Sequence, residues 1–294
     1  MPSSPFDDIK ALIGELPQAP SAGVAPDPAL GRLGVIAAQL SRWSAPAKPR
    51  VLRPIVALYA GSHHDGEAEA LRERLELIAA GGAKINALAQ AAGAGLEAFD
   101  LAIDRPAPDI LEHPSMSERE CAATMAFGME ALAKQPDILL LGDISSGGRI
   151  AAAALALVLF GGEAGEWIEG DEAVVARAAE RARLQLGRSN DPLEALRQLG
   201  GREIAALAGA ILAARSQNVP VILGGYAAAV AAAVLQKIDP RAVEHVLAGD
   251  AAAYRGVSEE MGLIPLINYG ITAGEGASAV AALPLLKLAC EVAG

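Results

Sequence analysis

Aromatic residues are scarce in this 294-residue sequence: Phe, Trp and Tyr together make up 3%. A core without large rings has to be built from Ala, Leu, Ile and Val, and Ala alone is about a fifth of the chain. The two cysteines, Cys121 and Cys290, are too few for a disulfide framework. Both fall in helical, apolar surroundings and read as structural. No Lys/Arg cluster occurs, and 24 basic side chains face 35 acidic ones, a net charge of −11. That balance excludes the electrostatic footprint of a nucleic-acid binder and of a protein held on an anionic membrane. No apolar run is long enough to span a bilayer: residues 150–160 are too few, and 219–235 is broken by Pro220 and by Gly224-Gly225. The opening MPSSPFDDIK is acidic and polar and shows no signal peptide, so a soluble, cytoplasmic protein is expected. With 52% hydrophobic and 20% charged residues, the chain is not disordered.

What is present is an alternation. Residues 1–30 are rich in Pro, Ser and Gly around one helical piece at 7–15, followed by a helix at 33–43 and a Pro-rich linker at 44–49. Short apolar runs then appear at 55–59, 96–103, 137–141, 219–223, 245–247 and 264–267. Helical stretches separate or follow them, at 67–80, 117–134, 149–158, 171–185, 201–216, 226–237 and 276–292. Continuous apolar strands alternating with helices predict an α/β fold, a parallel sheet covered on both faces. The Ala-rich runs at 151–154 and 227–233 predict close helix packing. In such a sheet ligands bind outside the carboxyl ends of the strands. That points to the segments 61–66, 142–148, 224–225, 249–250 and 272–277.

Several of these carry chemistry. Ser145, Ser146, Gly147 and Gly148 precede an Ala-rich helix and could offer donors to an anion, or Asp143 or Ser146 could simply cap that helix. The spacing is neither a Walker A loop nor a dinucleotide fingerprint. Glu275, between Gly274 and Gly276, could accept a proton from a bound nucleophile or sit as an acid in the first turn of the last helix. His63-His64-Asp65 has metal-ligand chemistry without ligand geometry, because neighbours on a strand end point apart. His113 and His245 show no ligand spacing. Arg177 and Arg181 share a helix face that solvent would normally cover; Arg177 could instead reach a phosphate.

Longer segments carry a resemblance. Ala79-Ala-Gly-Gly-Ala-Lys-Ile-Asn86, the run from Ser117 to Glu130, Asp191-Pro-Leu-Glu194, the run from Leu199 to Arg215, and Gly274-Glu-Gly-Ala-Ser-Ala-Val-Ala-Ala282 resemble the nicotinate-nucleotide–dimethylbenzimidazole phosphoribosyltransferases, in the family's order. The resemblance implies a Rossmann-like parallel α/β core over residues 49–276. It also implies a small helical domain from both chain ends, residues 1–48 and 277–294. The implied reaction moves phosphoribosyl from nicotinate mononucleotide to 5,6-dimethylbenzimidazole, for the lower ligand of cobalamin. Glu275 matches the residue that takes the proton of the attacking base. By the same resemblance Asp143 meets ribose, Ser145 and Ser146 the phosphate, and Arg177 assists, with Gly274, Gly276 and His63 completing the substrate-binding set. No metal or redox cofactor is implied. The partners implied are the nucleotide, the aromatic base and a second subunit, either an identical chain or an intact homologue.

The ligand loops depart from the family's pattern more than the scaffold does. Asp143 stands for a Glu, Ser145 for a Gly, and Arg177 for the phosphate-binding Lys. Gly224-Gly225-Tyr226 lacks a carboxylate, the loop after His63 is shortened, and Asp250 stands where its charge is expected to repel phosphate. A second reading therefore stands beside the first: an impaired homologue serving as a ligand-binding or partner subunit, or a transferase for another base.

Overall fold

Five apolar segments pair side by side and all in parallel, in the order β2-β1-β3-β4-β5. The structure, a computed structural model, describes residues 4–20, 23–43, 49–254 and 256–293. Most of the linker expected at 44–49 and Arg255 lie outside the described residues. The strands are β1 (Pro54–Ser62), β2 (Gly95–Asp100), β3 (Ile138–Ser146), β4 (Val221–Leu223) and β5 (Val246–Ala248). Ile138 to Leu141 and Val221 to Leu223 are wholly buried, which is why they read as unbroken apolar runs rather than as alternating ones.

Helices cover both faces. On one side lie α1 (Pro5–Gly14), α5 (Glu118–Gly128), α6 (Gly148–Phe160), α7 (Ala164–Trp167), α8 (Glu172–Leu186), α9 (Pro192–Leu199), α10 (Arg202–Ser216), α11 (Tyr226–Ile238) and the short α12 (Val257–Glu260). On the other lie α2 (Arg32–Trp43), α3 (Ala68–Ala79), α4 (Lys84–Ala92) and α13 (Ala277–Val292). Helices from the two chain ends, α2 and α13, thus pack together on one face. Local chemistry starts several of them. Ser117 caps α5 by accepting from Glu120 N, and Asp191 caps α9 by accepting from Leu193 N ahead of Pro192.

The small residues set the spacing. α6, α10 and α11 are buried nearly all round, and their Ala side chains let neighbouring helices come close. Where α5 crosses α10, two glycines face each other's backbones. A Cβ on Gly128 would lie 1.9 Å from Ala206 O, and one on Gly209 would lie 1.8 Å from Met125 O. Both cysteines are buried and neither is in a disulfide. Arg215, fully buried, ties the N-terminal segment to α10. It donates to Pro17 O at 2.7 Å and Arg241 O at 2.8 Å, and its guanidinium lies 4.8 Å over the Trp43 ring.

Three expectations need correction. The run 264–267 is not a strand: it contributes only an isolated bridge between Ile267 and Asp250, Pro265 cannot donate to a ladder, and Ile264 is exposed. The segment 142–148 is not a loop, because β3 continues through Ser146. The stretch 117–134 is a helix only to Gly128, followed by a 3₁₀ turn at Met129–Leu132. The helices α4, α7, α9 and α12 had no predicted counterpart.

Among the described residues no helix is long and apolar enough to cross a membrane. Gly→Ala inside a helix normally stabilises by up to about 1 kcal/mol. At Gly209 the sign should reverse: Gly209→Ala is expected to destabilise by roughly 2–4 kcal/mol, since backbone must move to admit the methyl group. Urea unfolding with an unchanged m-value checks this.

Candidate active site

The strand order reverses beside β1, with β2 on one side and β3 to β5 on the other. At such a switch point the connections leave toward opposite faces and open a crevice beyond the strand ends. The register deepens it. β3 pairs with β4 only at Leu139, Leu140 and Leu141, but with β1 as far as Ser62 opposite Ser146. The polar end of β3 therefore has β1 on one flank and open space on the other.

Two cavities use that end of β3. One, of about 410 Å³, lies between β3, α3 and the turn before α13; Arg74, Asp143, Ser145, Ser146, Gly274 and Glu275 line it. The other, of about 370 Å³, opens toward β4 and is lined by Asp143, Ser145, Gly148, Arg149, Gly225 and Thr272 among others. Asp143, Ser145 and Gly274 belong to both. These volumes suit a small ligand each.

The turn bearing Glu275 is held from below. Gly274, Glu275 and Gly276 have φ of 69°, 52° and 73°, three left-handed residues in succession. Gly276 is pressed onto β3 and the residue just past β4: a Cβ on Gly142 would lie 2.3 Å from Gly276 N, and one on Gly224 would lie 2.5 Å from Gly276 Cα. The Glu275 carboxylate meets Arg74 of α3 through two hydrogen bonds, Nε to Oε1 and Nη2 to Oε2, the latter at 2.5 Å. Arg74 is held above its ordinary range by that hydrogen bonding.

Asp143 is half-buried at the wall between the cavities. Burial pushes its carboxyl up to about 6, against the opposing hydrogen bond from Ser145, whose hydroxyl donates to Oδ2 at 2.7 Å. The charge of Glu203 raises it further and that of His63 lowers it. Those two form a buried pair behind the crevice, His63 Nε2 to Glu203 Oε1 at 2.7 Å. Burial works against charge on both, yet Glu203 holds the imidazole above its ordinary range and His63 holds the Glu203 carboxyl below its own. Among the described residues Glu203 Oε2 has no hydrogen-bond partner.

Of the residues expected from sequence, Asp143, Ser145, Ser146, Gly274 and Glu275 come together. Ser146 Oγ is engaged by Glu67 N at 2.6 Å, so it also anchors the start of α3. The rest lie elsewhere. Gly276 is buried under the turn and lines neither cavity. His63 is turned toward Glu203 and lines a smaller cavity with His64, Asp65 and Asp109. Arg177 is exposed on α8 and lines neither of the two cavities; Arg149, at the first turn of α6, is the cation of the second. Arg181 is not solvated like its neighbour: it donates to Ile110 O and to the side chain and carbonyl of Gln198. Asp250 does not face the cavities as a free charge. It is buried and accepts from Ala252 N and Tyr269 N. The helix after Gly147 has no side-chain cap, neither Asp143 nor Ser146. Among the described residues no group of three or more His, Cys, Asp or Glu is arranged to hold a metal.

Sequence reasoning missed Arg74, Arg149 and Glu203. Only Glu203 left a signal, as a lone acid entering the long apolar run of α10.

A phosphoribosyltransferase family model matches residues 13–294. The nicotinate-nucleotide–dimethylbenzimidazole phosphoribosyltransferase of Sinorhizobium medicae is 44% identical over 314 residues, covering 97% of this chain and 93% of that one. The protein of the same name from Methylocella silvestris is 40% identical over 316 residues, with 98% and 93% covered. This chain belongs to the nicotinate-nucleotide–dimethylbenzimidazole phosphoribosyltransferase family. A solved structure of that name from Thermus thermophilus superposes with a TM-score of 0.83 at 27% identity, covering 98% of this chain and 94% of the other. A structure of CobT from the same organism gives 0.82 at 26% identity, covering 98% and 95%. In this member of the family Asp143, Ser145, Gly225 and Gly274 converge on one crevice, with Arg149 rather than Arg177 as the cation lining the second cavity.

Proposed function

We propose that this chain transfers the phosphoribosyl group of nicotinate mononucleotide to 5,6-dimethylbenzimidazole, giving α-ribazole 5′-phosphate and nicotinate for cobalamin lower-ligand synthesis. The observation that carries the reading is the shared wall: one carboxyl, Asp143, faces two adjoining cavities, and Glu275 stands in one of them. The nucleotide occupies the cavity of Arg149, its phosphate at the uncapped first turn of α6 and the Arg149 guanidinium. Asp143, with Ser145 beside it, takes the ribose hydroxyls. The benzimidazole occupies the cavity of Glu275.

This arrangement puts the ribose C1′ between the two ligands. As the bond from C1′ to the pyridinium nitrogen breaks, its electron pair goes to nicotinate and C1′ gains oxocarbenium character. A benzimidazole ring nitrogen closes on C1′, and the ring N–H proton passes to the Glu275 carboxylate. Most of the acceleration comes from holding both reactants within reach, which is worth several orders of magnitude. General-base assistance adds about 10²–10⁴-fold.

The enzyme works in the cytoplasm as a homodimer. Exposed Val35, Leu88, Leu288 and Val292 lie on three helices packed together, α2, α4 and α13, and supply apolar surface for a second copy. Helices α2 and α13 form the smaller helical unit contributed by the chain ends, while α1 packs on α5 across the sheet.

Glu275→Gln is nearly isosteric and should lower kcat by about 10²–10⁴-fold while leaving the melting temperature and nucleotide affinity close to wild type, in a chromatographic assay for α-ribazole phosphate. Undiminished turnover would remove Glu275 from the mechanism. An ionised Asp143 accepts from ribose hydroxyls more strongly than a protonated one, and its carboxyl titrates near 6. Nucleotide affinity should therefore weaken as pH falls from about 7.5 through about 6. The nucleotide phosphate titrates in the same range. Asp143→Asn separates the two, since the protein's share of the pH dependence should vanish in the variant. Sedimentation equilibrium should give twice the chain mass at micromolar concentration; a monomer would refute the dimer.

A further inference from the structure

Glu275 is fixed from two sides by different means. Its backbone is held by Gly276, wedged between Gly142 and Gly224 with no room for a Cβ on either. That fixes where the side chain leaves the turn. It does not fix the carboxylate, which lies beyond three freely rotating bonds. The hydrogen bonds described for that carboxylate come from Arg74, across the first cavity.

We propose that Arg74 is a positioning residue for Glu275: its side-on fork sets the carboxylate plane so that the oxygens' remaining lone pairs face the acceptor base in the first cavity. The inference rests on the phosphoribosyl-transfer reading above. Each carboxylate oxygen has two acceptor sites, and a bidentate guanidinium takes one from each. One site per oxygen is left for the proton. The fork also has a rigid footing. Arg74 belongs to α3, whose first turn is tied to β3 because Glu67 N donates to Ser146 Oγ at 2.6 Å. Gly66 packs on the same residue, an added Cβ lying 2.4 Å from Ser146 O. Strand β3 therefore carries Asp143, which meets the ribose, and also anchors the helix that aims the base. The two carboxyl groups are registered to one another through that strand.

Arg74 and Glu275 form a partly exposed pair lining a cavity, where solvent screening keeps its contribution to stability modest. The effect of Arg74 should accordingly appear in turnover and hardly at all in unfolding. A base displaced by about 1 Å can lose on the order of 10²-fold in rate.

The experiment compares wild type, Glu275→Gln, Arg74→Met, Arg74→Lys and Arg74→Ala in steady-state kinetics with both substrates varied, beside thermal melts. Arg74→Met should lower kcat roughly 10–100-fold, with KM for the nucleotide within about twofold and the melting temperature nearly unchanged. Arg74→Lys keeps charge and stem but cannot fork, and should still lose about tenfold. Millimolar guanidinium should restore part of the rate to Arg74→Ala and do nothing for wild type. If Arg74→Met unfolds, Arg74→Lys and the guanidinium rescue decide. Wild-type kcat in Arg74→Met or Arg74→Lys, with Glu275→Gln inactive, would overturn the role of Arg74 and leave the base assignment standing. Equal activity in wild type and Glu275→Gln, or no transfer by wild type, would instead overturn the functional reading beneath it.

Discussion

Backbones in this protein approach each other until only glycine fits between them, and the site inherits its geometry from those approaches. Under the crevice, Gly142 in the middle of β3, Gly224 just past β4 and Gly276 meet. Around Glu203, a Cβ on Gly61 or Gly201 would fall 2.1 or 2.2 Å from Oε2. Between α5 and α10, Gly128 and Gly209 each face a carbonyl of the opposite helix. A core poor in aromatics has few large side chains to hold elements apart, so close contact supplies the dispersion energy that bulky residues provide elsewhere. The consequence for function is rigidity. Three successive left-handed residues, one of them Glu275, are tolerable because the surrounding backbone leaves that turn no alternative.

Charge is handled in the same confined manner. His63 and Glu203 are both buried, and a charge on either alone would be costly; together each favours the other's charged form. Their pair lies close enough to Asp143 that Glu203 raises and His63 lowers its proton affinity. With burial dominant, the net result is a carboxyl that changes state near pH 6. The hydroxyl of Ser145 offsets part of that by donating to it. Ser145 is thus bound up with Asp143, and under the proposed function the phosphate charge falls to Arg149 and the first turn of α6.

All five strands were legible, four of them because a buried parallel strand has no polar face to interrupt it; β2, an edge strand with Glu97 and Asp100, is only partly buried. Their ends were less so. Asp143, Ser145 and Ser146 read as a loop because polarity ended the apolar run, whereas pairing with Tyr59, Gly61 and Ser62 keeps them in the strand. The apolar run at 264–267 failed for the opposite reason: its composition is apolar, but Pro265 lacks an N–H and the pairing past the end of β5 amounts to one isolated bridge. Glu275 and Asp143 were reachable from sequence because glycines and strand ends mark places where a backbone approaches a ligand. Arg74 was not. It sits in a helix with Arg72, Glu73 and Glu76, and a guanidinium that crosses a crevice looks in sequence like one that faces water. Asp250 looked like a charge against phosphate, but it is spent on two backbone N–H groups.

The uneven match between scaffold and ligand loops has a physical reason. A phosphate is held by charge and by N–H groups, and a cation from a neighbouring turn can replace one lost elsewhere with little demand on position. Under the proposed function, Arg149 in place of Arg177 is a change of that sort. A base that must meet one ring proton is a different requirement, because its usefulness falls steeply over a fraction of an ångström. Its support must therefore be backbone rather than loop: Gly276 against Gly142 of β3 and Gly224 just past β4, and α3 fastened to the third residue beyond Asp143 on β3.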